Sequence, residues 1–188
     1  MNLDNAKIQA IFERYRANFE QLRIRVYAST AEEDLLLLRL YFYLCESGDI
    51  SKITTPENHR LATFLDIFQS PTVTFYGLSD SNEIDFIAWF KEPSGTSIFA
   101  GIWTHPSTRS SRRLLYIIQN VYSLVFEFYS SILGATWQPE LLQLHTKVGY
   151  SITGNFSDFM GQSIVWLMQL TRENFFKSRI MQIGRTQI

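Results

Sequence analysis

The sequence predicts a mixed fold of the α/β (α+β) class, with about seven short strands and five helices along one chain. Three observations predict it. Apolar residues recur at threes and fours in five stretches, the spacing of helices that bury one stripe. Between them lie short runs rich in β-branched and aromatic residues, bounded by turn residues. Helix-start signals, Thr30-Ala31-Glu32-Glu33 and Thr55-Pro56-Glu57, stand at the junctions.

Taken in order, residues 5–20 carry Ile8, Ile11, Phe12, Tyr15 and Phe19, an amphipathic helix whose apolar stripe must dock on something. Residues 22–27 alternate Leu22, Ile24 and Val26 with Arg23 and Arg25, as a half-buried strand does. Thr30 and Glu33 then form a capping box, the hydroxyl taking one orphan amide while the carboxylate reaches back. The helix they open runs to about Glu46, is apolar nearly all round and is expected to be buried. Cys45 is expected to be a small buried hydrophobe on it, and Gly48 stands where it ends.

Thr55-Pro56-Glu57 starts the next helix, with proline at the first position, where its missing N–H costs nothing. Leu61, Phe64, Leu65 and Phe68 form its buried side. Residues 72–78 and 84–90 read as strands joined by Ser79-Asp80-Ser81-Asn82, hence a hairpin. Pro93-Ser94-Gly95 turns into a strand over residues 97–103. Helix resumes at about Ser110, with Leu114, Ile118, Val121, Val125 and Phe128 on one face. Residues 131–137 are a strand, residues 139–148 a helix closed by Gly149, and residues 150–156 and 163–170 a closing pair of strands. From Thr171 the pattern fades into a tail with Phe175, Phe176, Ile180, Met181 and Ile183 among Arg172, Lys177, Arg179 and Arg185.

The bulk properties exclude several classes. At 188 residues the chain can bury one sizeable core, and no linker or repeat divides it, so one domain is expected. Seventeen basic against eighteen acidic residues argue against a nucleic-acid binder held by bulk charge. A single cysteine and three scattered histidines exclude a disulfide framework and leave no metal-ligand spacing. No apolar run approaches the roughly 20 residues of a membrane span, and no signal-peptide core is present. A cytoplasmic protein is expected.

Three local patterns carry a resemblance. Ile24-Arg25-Val26 is followed by Ser29-Thr30-Ala31-Glu32-Glu33-Asp34-Leu35. Thr104-His105-Pro106 precedes Arg109, in the manner of "V-x-P-x-x-R". Gln138, Leu141, Leu144, Lys147, Gly149 and Tyr150 match "N-x-x-A-x-x-L-Y-x-K-x-G-F". With the element order β-α-α-β-β-β-α-β-α-β-β over residues 22–170, about four-fifths of the chain resembles the GNAT superfamily of N-acetyltransferases. The resemblance implies a central mixed, mostly antiparallel, twisted sheet of about seven strands flanked by four helices, with the N-terminal helix extra. It also implies that the fourth and fifth strands part to admit the pantetheine arm of acetyl-coenzyme A, held by main chain near Trp103 and Thr104.

The chain departs from the family in its cofactor loop. There the family places "x-x-G-x-G/A" around the pyrophosphate, because glycine lets the backbone approach the phosphates and helix amides then donate. This chain has Arg109-Ser110-Ser111-Arg112-Arg113-Leu114, with Arg112 and Leu114 at glycine positions. Two readings stand. Ser110 and Ser111 cap the helix while Arg112 and Arg113 contact the phosphates or the adenosine 3′-phosphate, with Arg109 and Gln138 also at the cofactor; or the helix is simply capped and its arginines solvated.

His145 falls where the family commonly has the tyrosine that protonates the departing thiolate, so the resemblance makes it the general acid. Residues 98–103 hold no carboxylate for a general base, and Asp85 is expected to be solvated on its hairpin. His105 and His59 are expected to be loop and surface residues, and Phe64, Phe68 and Tyr76 core. Two functions therefore remain open. One is an acetyltransferase acting on a primary amine. The other is an inactive GNAT-like protein serving as a structural or interaction subunit, its N-terminal helix and tail building a homo-oligomer or larger assembly.

Overall fold

The computed structural model describes residues 5–53, 59–109, 111–157 and 164–185. Seven strands form one sheet: β1 (Ile24–Val26), β2 (Val73–Leu78), β3 (Ile84–Ser94), β4 (Ser97–Thr104), β5 (Ser131–Thr136), β6 (Ser151–Ser157) and β7 (Ile164–Thr171). Their spatial order is β1-β2-β3-β4-β5-β7-β6. Every pair is antiparallel except β4 with β5. The sheet expected from the resemblance is the sheet observed.

The middle strands are apolar without a break because both of their faces are covered. Phe86, Ala88 and Phe90 of β3 join a core on one face; Ile87 and Trp89 join a second core on the other. The first face is covered by α1 (Asn5–Gln21) and α4 (Arg112–Val125), and the second by α2 (Ala31–Ser47) and α3 (Leu61–Gln69). Helix α5 (Pro139–Val148) follows β5, and its C-cap Gly149 is left-handed at φ 105°.

Several boundaries differ from the sequence reading. The first strand begins at Ile24 rather than residue 22, because α1 ends in two turns and Arg23 takes a left-handed φ of 53°. The capping box of α2 forms as expected, with Glu33 N–H donating to Thr30 Oγ1 at 3.3 Å and Thr30 N–H to Glu33 Oε2 at 3.0 Å. Yet α2 is not buried all round: Leu35 and Phe42 are 48% and 54% exposed, and Cys45 is exposed too. One side of α2 meets the sheet and another meets α3, where the Tyr41 and Phe64 rings lie 5.2 Å apart; the third faces solvent. The Thr55-Pro56-Glu57 helix start lies outside the described residues.

The tail is not a tail. Residues beyond β7 form α6 (Arg172–Lys177) and α7 (Arg179–Arg185), and Phe175 and Ile180 are buried in the chain's own core. Phe175 packs against Tyr122 and Phe126, with ring centroids 5.8 and 5.3 Å away. At the other end, Ile11 and Phe19 of α1 are buried, and Asn18 Nδ2 donates to Asn120 Oδ1 of α4 at 2.8 Å. The apolar residues read as seeking a partner are satisfied largely within the chain.

Candidate functional site

The parallel pair of strands places the site. β4 and β5 are in register over only three pairs, Ser97 with Ser131, Ile98 with Ile132 and Phe99 with Leu133. Beyond that point β4 stays bonded to β3 as far as Thr104, and β5 to β7 as far as Thr136. The sheet's twist then carries the two strands apart, leaving an open edge on each.

The free donors and acceptors on that edge follow from alternation. His105 N–H donates to the Asp85 carbonyl at 2.8 Å, which makes that pair a hydrogen-bonded one. In an antiparallel ladder bonded pairs alternate, so the main-chain groups of Trp103 and Gly101 face β3 while those of Ala100, Ile102 and Thr104 face the gap. The Thr104 carbonyl is already taken by Arg109 Nε at 3.1 Å. The expectation for Trp103 therefore needs correcting: its main chain serves the sheet, and its indole is buried, 4% exposed, on the α2 and α3 side, with Nε1 unpartnered among the described residues. The Ala100 N–H is spent on the Phe99–Leu133 pairing, so the Ala100 carbonyl and both main-chain groups of Ile102 are the open ones instead.

Two cavities, of about 440 and 360 Å³, meet at the gap. Both are lined by Ile102, Tyr122, Gln138, Leu141, His145 and Tyr150. The larger extends past Trp89 and Gly101 towards Ile53 and Ile67; the smaller runs along α4 and α5 to Arg109 and Leu114. Trp89 lies flat on β4 because position 101 is glycine: a Cβ there would meet the indole at 2.1 Å. A groove of about 540 Å³ between α1 and α4, walled by Asn18, Gln119 and Asn120, lies apart from the gap.

Three titratable side chains converge on the gap. His145 packs its ring 5.3 Å from that of Tyr150. Burial lowers its pKa to about 4, so the imidazole is uncharged at neutral pH. The hydroxyls of Tyr122 and Tyr150 lie 3.1 Å apart. Burial pushes Tyr122 up to about 12 and raises Tyr150 as well, so both phenols stay protonated. Gln138 is the N-cap of α5 without a side-chain capping bond.

The loop before α4 folds without glycine. Thr108, Arg109 and Ser111 N–H groups donate to His105, Pro106 and Thr108 carbonyls, and no described loop residue needs a positive φ. Ser111 caps α4: its Oγ accepts from Leu114 N–H at 3.2 Å and donates to the Thr108 carbonyl at 2.7 Å. The amides of Arg112 and Arg113 are left without partners inside the helix. Ser110 lies outside the described residues.

The arginines divide. Arg113, expected to contact phosphate, turns inward, where it is paired with Asp85 and donates to the Leu22 and Leu78 carbonyls at 2.9 and 3.0 Å. Asp85, expected to be solvated, is 7% exposed and also accepts from Thr108 Oγ1 at 3.2 Å. The cause is a bulge: Leu78 pairs with Ile84 and Gly77 with Phe86, so Asp85 is the extra residue and its side chain is redirected to α4. Arg109 is paired with Asp49 at 3.2 Å. Arg109 and Arg112 are both exposed, and of the three Arg112 alone has no ion-pair partner among the described residues.

His105 sits in the loop as expected, with Nδ1 2.7 Å from Ser107 Oγ. His59 is half-buried, and its carbonyl accepts from Tyr41. Sequence reasoning missed Tyr122, which the periodicity of α4 marks only as core. Among the described residues no cluster of three or more His, Cys, Asp or Glu is placed to hold a metal, and no helix is long and apolar enough to cross a membrane.

No family model matches the chain, and no curated protein sequence does. Solved structures match its fold. A GNAT superfamily phosphinothricin acetyltransferase from Sinorhizobium meliloti, in complex with AcCoA, aligns at 12% identity with a TM-score of 0.57, over 79% of this chain and 88% of that one. A GCN5-related N-acetyltransferase from Kribbella flavida aligns at 11% and 0.58, over 79% and 98%. An aminoglycoside 6'-N-acetyltransferase complexed with coenzyme A aligns at 13% and 0.56, over 79% and 96%. The chain has the GNAT fold.

Proposed function

We propose that the protein is an N-acetyltransferase that moves an acetyl group from acetyl-CoA to a primary amine. The observation that carries the reading is the parallel β4–β5 pair that parts after three residue pairs over two joined cavities. When bound, acetyl-CoA supplies an acetyl thioester. The residues present suit it. Main-chain groups of Ala100 and Ile102 offer strand-like bonds to an amide-bearing arm, and these depend little on side-chain identity. The free amides at the start of α4, with Arg112 beside them, offer donors to the pyrophosphate. Ser111 holds that helix end in place, Arg109 borders the donor cavity, and Gln138 faces the gap from α5.

His145 is the proton-transfer group. Being uncharged, it takes up a proton before it can pass one on towards the sulfur, in contrast to a standing imidazolium acid. Asp85 is committed to Arg113 and Thr108, which leaves no base at that position. The acceptor therefore enters as the free amine, and the rate should follow the amine's own pKa. The assembly reading loses one of its supports, since Ile11 and Phe19 of α1, Phe175 of α6 and Ile180 of α7 pack in the chain's own core.

The test is a thermal shift with acetyl-CoA followed by a thiol-release screen of primary amines. Ligand at about 100 times its Kd adds about 2.7 kcal/mol, which at this size raises the Tm by roughly 5–10 °C. No shift at millimolar acetyl-CoA with the protein folded overturns the proposal.

A further inference from the structure

The larger of the two cavities at the gap changes character along its length. Where it meets the smaller one, polar side chains line it: Tyr122, Gln138, His145 and Tyr150. The walls it does not share carry large apolar side chains, among them Ile53, Ile67, Trp89, Phe99 and Trp137. Thr136 is the polar exception there, and its Oγ1 already accepts from Gln138 N–H at 3.1 Å. None of the described lining residues is Asp, Glu, Lys or Arg. The indole of Trp89 is fixed in place. It lies over Gly101, where any Cβ would collide with it, and stands edge-on to the ring of Phe68 with centroids 5.1 Å apart. Phe99 and Trp137, by contrast, are 39% and 37% exposed, apolar surface that a ligand in the cavity would cover.

A charged group brought against such walls loses hydration and gains no ion pair, whereas a flat apolar group covers the rings and releases water. A volume of about 440 Å³ lies near the lower end for small-molecule sites, which sets the scale of what enters. The reacting nitrogen must sit at the polar end, against the acetyl group, so the apolar walls face the rest of the acceptor. Resting on the acetyl-CoA reading above, we infer that the acceptor is a small primary amine with an aromatic body and no second charge, its ring packed on Trp89, Phe99 and Trp137. The step is that of the donor reading: the amine nitrogen forms the amide bond as the thioester C–S bond breaks. One proton leaves the nitrogen and the departing sulfur gains one. The same walls favour the uncharged amine, the form that attacks without a general base.

Coenzyme A is first titrated into the full chain by calorimetry, and phenethylamine, putrescine and glucosamine are then titrated in turn into the saturated complex. The titrations run at about pH 9, where more of each amine is uncharged than at neutrality. Phenethylamine should bind at least about tenfold more tightly than putrescine, which carries a second amine, or glucosamine, whose body is polar. The double variant Phe99→Ala/Trp137→Ala removes two exposed rings, so it should keep the wild-type circular dichroism and still saturate with coenzyme A. It should bind phenethylamine at least about tenfold more weakly. If the variant fails to fold, the comparison of the three amines decides alone. The aromatic acceptor is overturned, and the donor reading stands, if the wild type binds coenzyme A but phenethylamine does not bind or is matched by either other amine. A loss below about threefold in the folded variant overturns it equally. If the wild type does not bind coenzyme A at all, both are overturned.

Discussion

Arg112 and Arg113 are neighbours in sequence and opposites in environment. Arg113 balances a nearly buried carboxylate and two main-chain carbonyls, while Arg112 is exposed. Removing one partner of a buried pair strands the other charge. Arg113→Ala should therefore cost about 3 kcal/mol in chemical denaturation, and Arg112→Ala within about 0.5 kcal/mol. Equal costs would contradict the inward placement. The sequence could not separate the two, because what turns Arg113 inward is a bulge in a distant hairpin. His145 gives a second residue-scale prediction. Its folded pKa of about 4 lies below the unfolded value of about 6.5, so as pH falls the unfolded chain takes the proton first. Its contribution to stability is complete above pH 6.5 and is lost as pH falls towards 4, amounting to roughly 3 kcal/mol. Denaturation at pH 7.5 and 4.5 should show that loss in the wild type and a smaller one in His145→Gln; identical losses would refute the burial.

The elements were legible where local chemistry decides them. The Thr30–Glu33 box, the Ser79–Asn82 turn and the helix from Pro139 to Gly149 fall where their residues place them. Elements set by tertiary contact were not: β1 is short because Arg23 takes a left-handed φ just before it, and α2 keeps one side exposed because no described residue covers it. The C-terminal helices are the clearest case. Each is too short to declare itself by periodicity, and both form against a core already made. Gly149 joins this region to α5: its φ is 105°, and a Cβ there would lie 2.7 Å from the Asn174 carbonyl oxygen. Gly149→Ala should lower stability by at least about 2 kcal/mol, against no more than about 0.5 kcal/mol for an exposed substitution such as Gln143→Ala. A loss below about 1 kcal/mol, the glycine-to-alanine preference alone, would contradict the close approach.

At the scale of the molecule, two cores on opposite faces hold one sheet, and the sheet is opened at the parallel β4–β5 pair. That opening could be read from the sequence through the family resemblance alone, since strand order and register join residues far apart in the chain. The resemblance also put His145 at the gap, while the choice of Ala100 and Ile102 over Trp103 needed the register of β4 against β3. The most direct measurement is calorimetric titration of acetyl-CoA into the wild type and into Ile102→Trp, which fills the strand gap with an indole. About one acetyl-CoA should bind per wild-type chain and none to the variant, with the variant still cooperatively folded. Binding unchanged by the filled gap, or no binding to the wild type, would contradict it.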